Sequence, residues 1–227
     1  MADLDENLER LRLAVYREFA ATGRPPSVDA LATTVGRSNA EVAHGLEALA
    51  EAHHLVLRDG QIVLAHPFAS TSFGFSVMGG RTLYWGGCAW DAFAIPHLVH
   101  AEPSALVATQ CPGCGTPHAW VVDRSGPPAG DQVVHFPTEA ARVWDDVVRT
   151  CSMQRIFCSR DCVDRWSAAT GVPVGAVFDL ATLWRLAARW YEGRLDSPYE
   201  RRDPATAVAF FAEVGLPRSF YASLTND

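Results

Sequence analysis

Lysine is absent from this chain: all 19 basic residues among its 227 are arginines. That excludes Schiff-base chemistry on a lysine and the phosphate-binding lysine of a P-loop. Also missing are a G-x-S-x-G elbow, a G-x-G-x-x-G turn and an H-E-x-x-H pair, so no organic cofactor is expected. No apolar run approaches the roughly 18 residues of a membrane span. Met1 to Arg12 is acidic and helical in pattern, which does not fit a secretory leader. The expectation is a cytoplasmic protein with no membrane partner. Basic charge is in short supply too. The 19 arginines face 26 Asp and Glu, a net charge of −7, which counts against general nucleic-acid binding.

What is present suits a globular protein with a real core. Hydrophobic residues make up 48% and charged residues 20%. The length allows one large domain or two small ones. Leu4, Leu8, Leu11, Val15 and Phe19 stand at helical spacing. Gly23, Pro25 and Pro26 stop that helix. Ser27 reads as the cap of a helix over 28–35, closed by Gly36. Ser38 caps a third, with Glu41 completing a capping box. Strands around 55–57 and 61–64 flank Asp59-Gly60, a hairpin turn. Three helices and a hairpin are the pattern of a winged helix-turn-helix over residues 1–66. Within residues 1–60, however, six Arg face ten Asp and Glu, and Glu41, Glu47 and Glu51 lie on the third helix. A packing unit fits that balance better than a DNA reader.

Residues 67–227 alternate short strands and helices, so the whole is α+β. Strands are expected at 106–109, 119–123, 132–136 and 156–157, and helices at 138–148, 161–170, 180–191 and 205–216. A helix from about Gly87 should kink or end near Pro96. Residues 193–204 are charged, hold two prolines and read as a surface loop.

Six cysteines carry the chemistry: Cys88, Cys111, Cys114, Cys151, Cys158 and Cys162. Cys111-Pro112-Gly113-Cys114-Gly115 is a C-x2-C turn tightened by glycine. Phe157-Cys158-Ser159-Arg160-Asp161-Cys162 places a second pair at a helix start. Four such sulfurs can close a tetrahedral zinc site; the alternative is four small buried hydrophobes. The two pairs resemble treble-clef zinc fingers of the YHS and TRASH type, which implies one structural zinc on Cys111, Cys114, Cys158 and Cys162. Cys88 and Asp91, three positions apart, share a helix face. His97 and His100 form a similar pair, more simply read as surface or core residues. The eight histidines are otherwise scattered.

The run Arg81-Thr82-Leu83-Tyr84-Trp85-Gly86-Gly87-Cys88-Ala89-Trp90-Asp91-Ala92-Phe93-Ala94-Ile95-Pro96 resembles the active-site segment of the organomercurial (alkylmercury) lyases. In that family a Leu-Tyr pair precedes a catalytic cysteine, then an aspartate and a proline. Cys111 to Pro117 is similar to the segment around a further structural cysteine. Cys151, fifteen residues before Trp166, falls where the second catalytic cysteine belongs. The likeness runs over roughly residues 5–190. Cys114, Cys158, Cys162 and the tail from about Gly193 depart from it.

The resemblance implies cleavage of a carbon–mercury bond in a small organometallic substrate. Cys88 and Cys151 would be mercury ligands and Asp91 the proton donor, with cellular thiols accepting the Hg(II) product. It also implies a desolvated Asp91 that is easily protonated, walled by Trp85, Trp90 and Phe93. The residues leave other readings open: a metal-sensing transcription regulator, a non-enzymatic zinc or heavy-metal binder, or a lyase-fold enzyme using Cys88 on another substrate.

Overall fold

The computed structural model describes residues 4–225; the first three residues of the acidic helical pattern lie outside them. Helix α1 (Glu6–Thr22) starts at Asp5, whose carboxylate accepts from the Asn7 and Leu8 amides. Ser27 and Ser38 cap α2 (Val28–Val35) and α3 (Asn39–Glu51), the second with the full capping box. Strands β1 (Val56–Arg58) and β2 (Gln61–Ala65) pair about Asp59 and Gly60, both at positive φ. That is the backbone a type I′ hairpin turn demands.

Strands β3 (Phe68–Ala69), β4 (Ser76–Met78) and β5 (Leu83–Gly86) follow, then helix α4 (Ala89–Leu98). Next come β6 (Ser104–Gln110), β7 (Pro117–Asp123) and β8 (Val133–Phe136). The remainder is α5 (Val147–Met153), β9 (Arg155–Phe157), α6 (Arg160–Thr170), β10 (Ala176–Asp179), α7 (Leu180–Trp190), α8 (Pro204–Glu213) and α9 (Arg218–Tyr221). Seven strands form one antiparallel sheet in the order β1-β2-β3-β5-β4-β6-β7. Because β2 pairs with β3, the sheet continues without a break from the N-terminal hairpin into the rest of the chain. A second sheet has the order β10-β8-β9, also antiparallel. Mixed helices and antiparallel strands make this an α+β fold.

Helix α4 occupies the centre. It is buried on every side from Ala89 through Pro96, as expected of a helix with no polar face. It packs on α7 and against β5. Pro96 sits in its last turn, and the helix ends two residues later.

Two sequence expectations fail. The helix expected over 138–148 is a 3-10 turn, Ala140–Asp145, followed by a break and then α5. Asp146 causes the break: with φ −153° it leaves the helical region, and its carboxylate caps the Arg149 amide to start a new helix. The segment 193–204 is no simple surface loop. Arg194 within it is buried, bonded to the His66 carbonyl at 2.8 Å and to the hydroxyls of Tyr16 and Tyr199 at 3.1 and 3.0 Å.

Candidate active site

Strand β5 enters α4 through Gly86-Gly87, and the approach is too close for side chains. A Cβ on Gly86 would stand 2.7 Å from Cα of Ala92; one on Gly87 would stand 2.6 Å from Oδ2 of Asp91. The turn delivers Cys88 to the N-cap of α4 and Asp91 to its first turn. The Ala89 amide donates to the carbonyl of Gln154 at 3.0 Å, which fixes the end of α5 on the start of α4. That bond brings Cys151 of α5 against Cys88, close enough for the two thiols to hydrogen bond. Both are free and buried.

Asp91 is wholly buried and is the hub of the site. The Cys88 thiol donates to Oδ2 at 3.4 Å, His66 Nδ1 lies 3.1 Å from the same oxygen, and the Tyr191 hydroxyl donates to Oδ1 at 2.5 Å. The donor atoms of His66, Asp91 and Cys151 all lie within 4.8 Å of one another. Burial pushes the Cys88 thiol well above its ordinary pKa, and the neighbouring Cys151 and Asp91 push it the same way. For Cys151, the hydrogen bond with Cys88 lowers the pKa, but burial and the Asp91 charge outweigh it, so that thiol is raised too. Tyr191 is raised by burial and by Asp91, and so remains a donor.

Asp91 corrects an expectation. Burial does raise its pKa, yet the His66 imidazole, with the hydrogen bonds from Tyr191 and Cys88, outweighs burial and holds the carboxyl below its ordinary value. Its oxygens face the Cys88 thiol, the His66 ring and the Tyr191 hydroxyl.

The family profile of the alkylmercury lyases, MerB, matches residues 68–192. The chain belongs to the alkylmercury lyase family. Its fold is similar to a crystal structure of the mercury-bound form of MerB2, with a TM-score of 0.64 and 18% identity over 85% of this chain and 93% of that one. No curated protein matches the chain. The family's activity, cleavage of carbon–mercury bonds in small organomercurials, makes the chain an enzyme of the carbon–mercury lyase class.

In this lyase the site opens into a cavity of about 220 Å³. Trp90 lines it, with Trp144, Trp190, Phe211 and Phe220. The other two expected walls are elsewhere: Phe93 packs on Trp120, and Trp85 stands half-exposed on β5. His66 and Arg194 also line the cavity, and both lie outside the matched stretch. Neither was singled out by sequence. His66 is 25 positions from Asp91, and nothing marks it among eight histidines. Tyr191 is 100 positions away and reads as one more apolar residue of an amphipathic helix.

The other four cysteines also converge. Their sulfurs lie within 4.8 Å of one another, those of Cys114 and Cys158 at 3.4 Å. The knuckle closes with the Gly115 amide on the Cys111 carbonyl at 2.8 Å. A Cβ on Gly113 would meet the Cys162 carbonyl oxygen at 2.5 Å, so only glycine lets the turn reach α6. The Cys158 amide and the Arg165 guanidinium donate to the sulfurs of Cys111 and Cys162, at 3.4 and 3.1 Å. The cluster is suited to a metal ion. His97 and His100 belong to neither group: His97 packs edge-on against Trp184, and His100 faces Arg124.

Proposed function

We propose that the chain cleaves organomercurials by protonolysis, with Cys88 and Cys151 taking the mercury and Asp91 carrying the proton. One observation supports this most: two buried free thiols and a buried carboxyl group line one aromatic-walled cavity. Hg(II) is soft and is held by thiolates. A substrate R–Hg–SR′ exchanges its carrier thiolate for one protein sulfur and then takes the second. Two thiol protons are displaced. One leaves on the carrier thiol R′SH. The other passes from Cys88 to Asp91 over the 3.4 Å contact and then to the carbon, as the carbon–mercury bond breaks. The products are R–H and Hg(II) on two cysteines, which small cellular thiols then remove.

The raised thiol pKa values fit this scheme, because both sulfurs start protonated and the site holds the proton that the carbon needs. Tyr191 and His66 fix the carboxylate. On turnover of a phenyl- or alkylmercury thiolate, Cys88→Ser or Cys151→Ser should abolish hydrocarbon release. Asp91→Ala should still bind mercury but release hydrocarbon ~10²–10⁴-fold more slowly. Full turnover by Asp91→Ala would sink the scheme.

In the same reading the four-cysteine cluster holds a structural zinc. A tetrahedral site with Zn–S of about 2.3 Å puts the sulfurs about 3.8 Å apart; these four lie within 4.8 Å of one another, with Cys114 and Cys158 at 3.4 Å. The zinc ties a hairpin end to a helix and takes no part in the chemistry. Residues 1–66 serve as a supporting winged helix-like unit and 67–227 as the lyase unit. The acid excess of residues 1–60 argues against a nucleic-acid partner. Among the described residues no helix is long and apolar enough to cross a membrane, and a thiol-rich cytoplasm suits the product's removal.

A further inference from the structure

The cavity has an uneven charge. Three guanidiniums line it, those of Arg194, Arg201 and Arg202, all from the segment beyond the stretch that matches the family. Among the described residues Asp91 is the only carboxylate in its wall, and it is occupied by Cys88, His66 and Tyr191. Asp196, Glu200 and Asp203 are close in sequence. Yet among the described residues none of the three arginines forms an ion pair.

Their partners are neutral. Arg201 donates to the Ala52 carbonyl at 2.9 Å and lies over the Trp144 ring. Arg202 donates to the Arg189 carbonyl at 3.1 Å and lies over Trp190 and Phe210. Arg194 is 6% exposed, bonds only a carbonyl and two phenols, and has a buried Nε with no partner. A guanidinium cannot shed its proton to escape burial. Carbonyls and ring faces answer such a charge in part; a carboxylate in the fork answers it fully.

We propose that this cavity selects organomercurials that carry a carboxylate, and that Arg201 and Arg202 receive it. Arg194 is committed to His66, Tyr16 and Tyr199 and sets the sign of the field. The proposal rests on reading the cavity as the organomercurial site. The carboxylate can belong to the carbon group or to the carrier thiol, and the chemistry of recognition is the same.

The experiment uses the full chain and four substrates. Phenylmercury is supplied as its mercaptoacetate, 2-mercaptoethanol and cysteamine adducts, which are anionic, neutral and cationic at the thiol. The fourth substrate is 4-carboxyphenylmercury on 2-mercaptoethanol, anionic at the carbon group. At least one anionic substrate should exceed the neutral one in kcat/KM by about tenfold, and the cationic one should fall below it. Added salt should narrow the ratio. In Arg201→Gln/Arg202→Gln the ratio should collapse toward one. Whichever anionic arm responds locates the carboxylate. Equal kcat/KM for all four in the unaltered chain, or a preference that survives the double substitution, overturns the proposal. Binding to the Cys88→Ser/Cys151→Ser chain, which leaves each adduct intact, should show the same order without turnover when read by quenching of tryptophan fluorescence, since Trp90, Trp144 and Trp190 line the cavity. If no adduct releases hydrocarbon, the lyase reading fails, while the charge preference is still decided by affinity.

Discussion

At the entry to α4, Gly86 and Gly87 are crowded from different sides, and their substitution should separate stability from activity. A methyl on Gly86 collides with the backbone of Ala92. Gly86→Ala should therefore destabilise the fold by about 1–3 kcal/mol. A methyl on Gly87 meets Oδ2 of Asp91 and, at 3.0 Å, a methyl of Leu64. Both are side-chain atoms that can shift, so Gly87→Ala should fold. It should nonetheless push the carboxylate off the Cys88 thiol and slow turnover by about 10²-fold, the scale of an ångström's misplacement. Melting curves and hydrocarbon release measured on both variants check this; equal loss of stability in the two would refute the division. Cys88 and Asp91 stood out in the sequence through the resemblance of the 81–96 run to the lyases; their spacing of one helical turn would have been too common a pattern alone. His66, Tyr191 and Arg194 were not, since long-range contacts leave no local spacing and each residue type has an ordinary alternative role.

Among the elements, the capped helices and the Asp59-Gly60 hairpin were legible because their signals are local: a capping side chain, a glycine, a turn with positive φ. The 138–148 stretch misled because Asp146 leaves the helical region and caps a new helix, a role that only the folded backbone reveals. The 193–204 segment misled because charge and proline usually mean solvent. Here the tertiary structure supplies carbonyls and phenols to three buried or half-buried arginines. The knuckle between β6 and β7 makes its own prediction. The purified chain should carry about one zinc, lost in Cys114→Ser. Chelation should speed amide exchange in residues 111–116 and at the start of α6 while leaving α1–α3 protected. Zinc retained in Cys114→Ser would mean a different ligand set.

For the molecule as a whole, acid should weaken the fold through its histidines before its carboxylates. His54 is pushed down to about 4 by burial and by Arg194, Arg12 and Arg201. His97 is pushed down to about 4 by burial and by Arg124. In the unfolded chain both titrate near 6.5. Between those values the unfolded chain binds protons that the folded one refuses, so the stability present above pH 6.5 is lost as pH falls toward 4. The melting temperature should drop across that window, and less so in His54→Gln; a flat profile from pH 7 to 4 would contradict it. The distance along the chain between Asp91 and its partners also has a consequence in time. Tyr191 follows Asp91 by 100 residues, which at a synthesis rate of ~5–20 residues per second is a delay of roughly 5–20 s. For those seconds Cys88, and later Cys151, have left the ribosome's active centre without the tail that will wall them in. A cell that begins making this protein after mercury has arrived exposes the unfinished thiols to the metal before there is a site to use it.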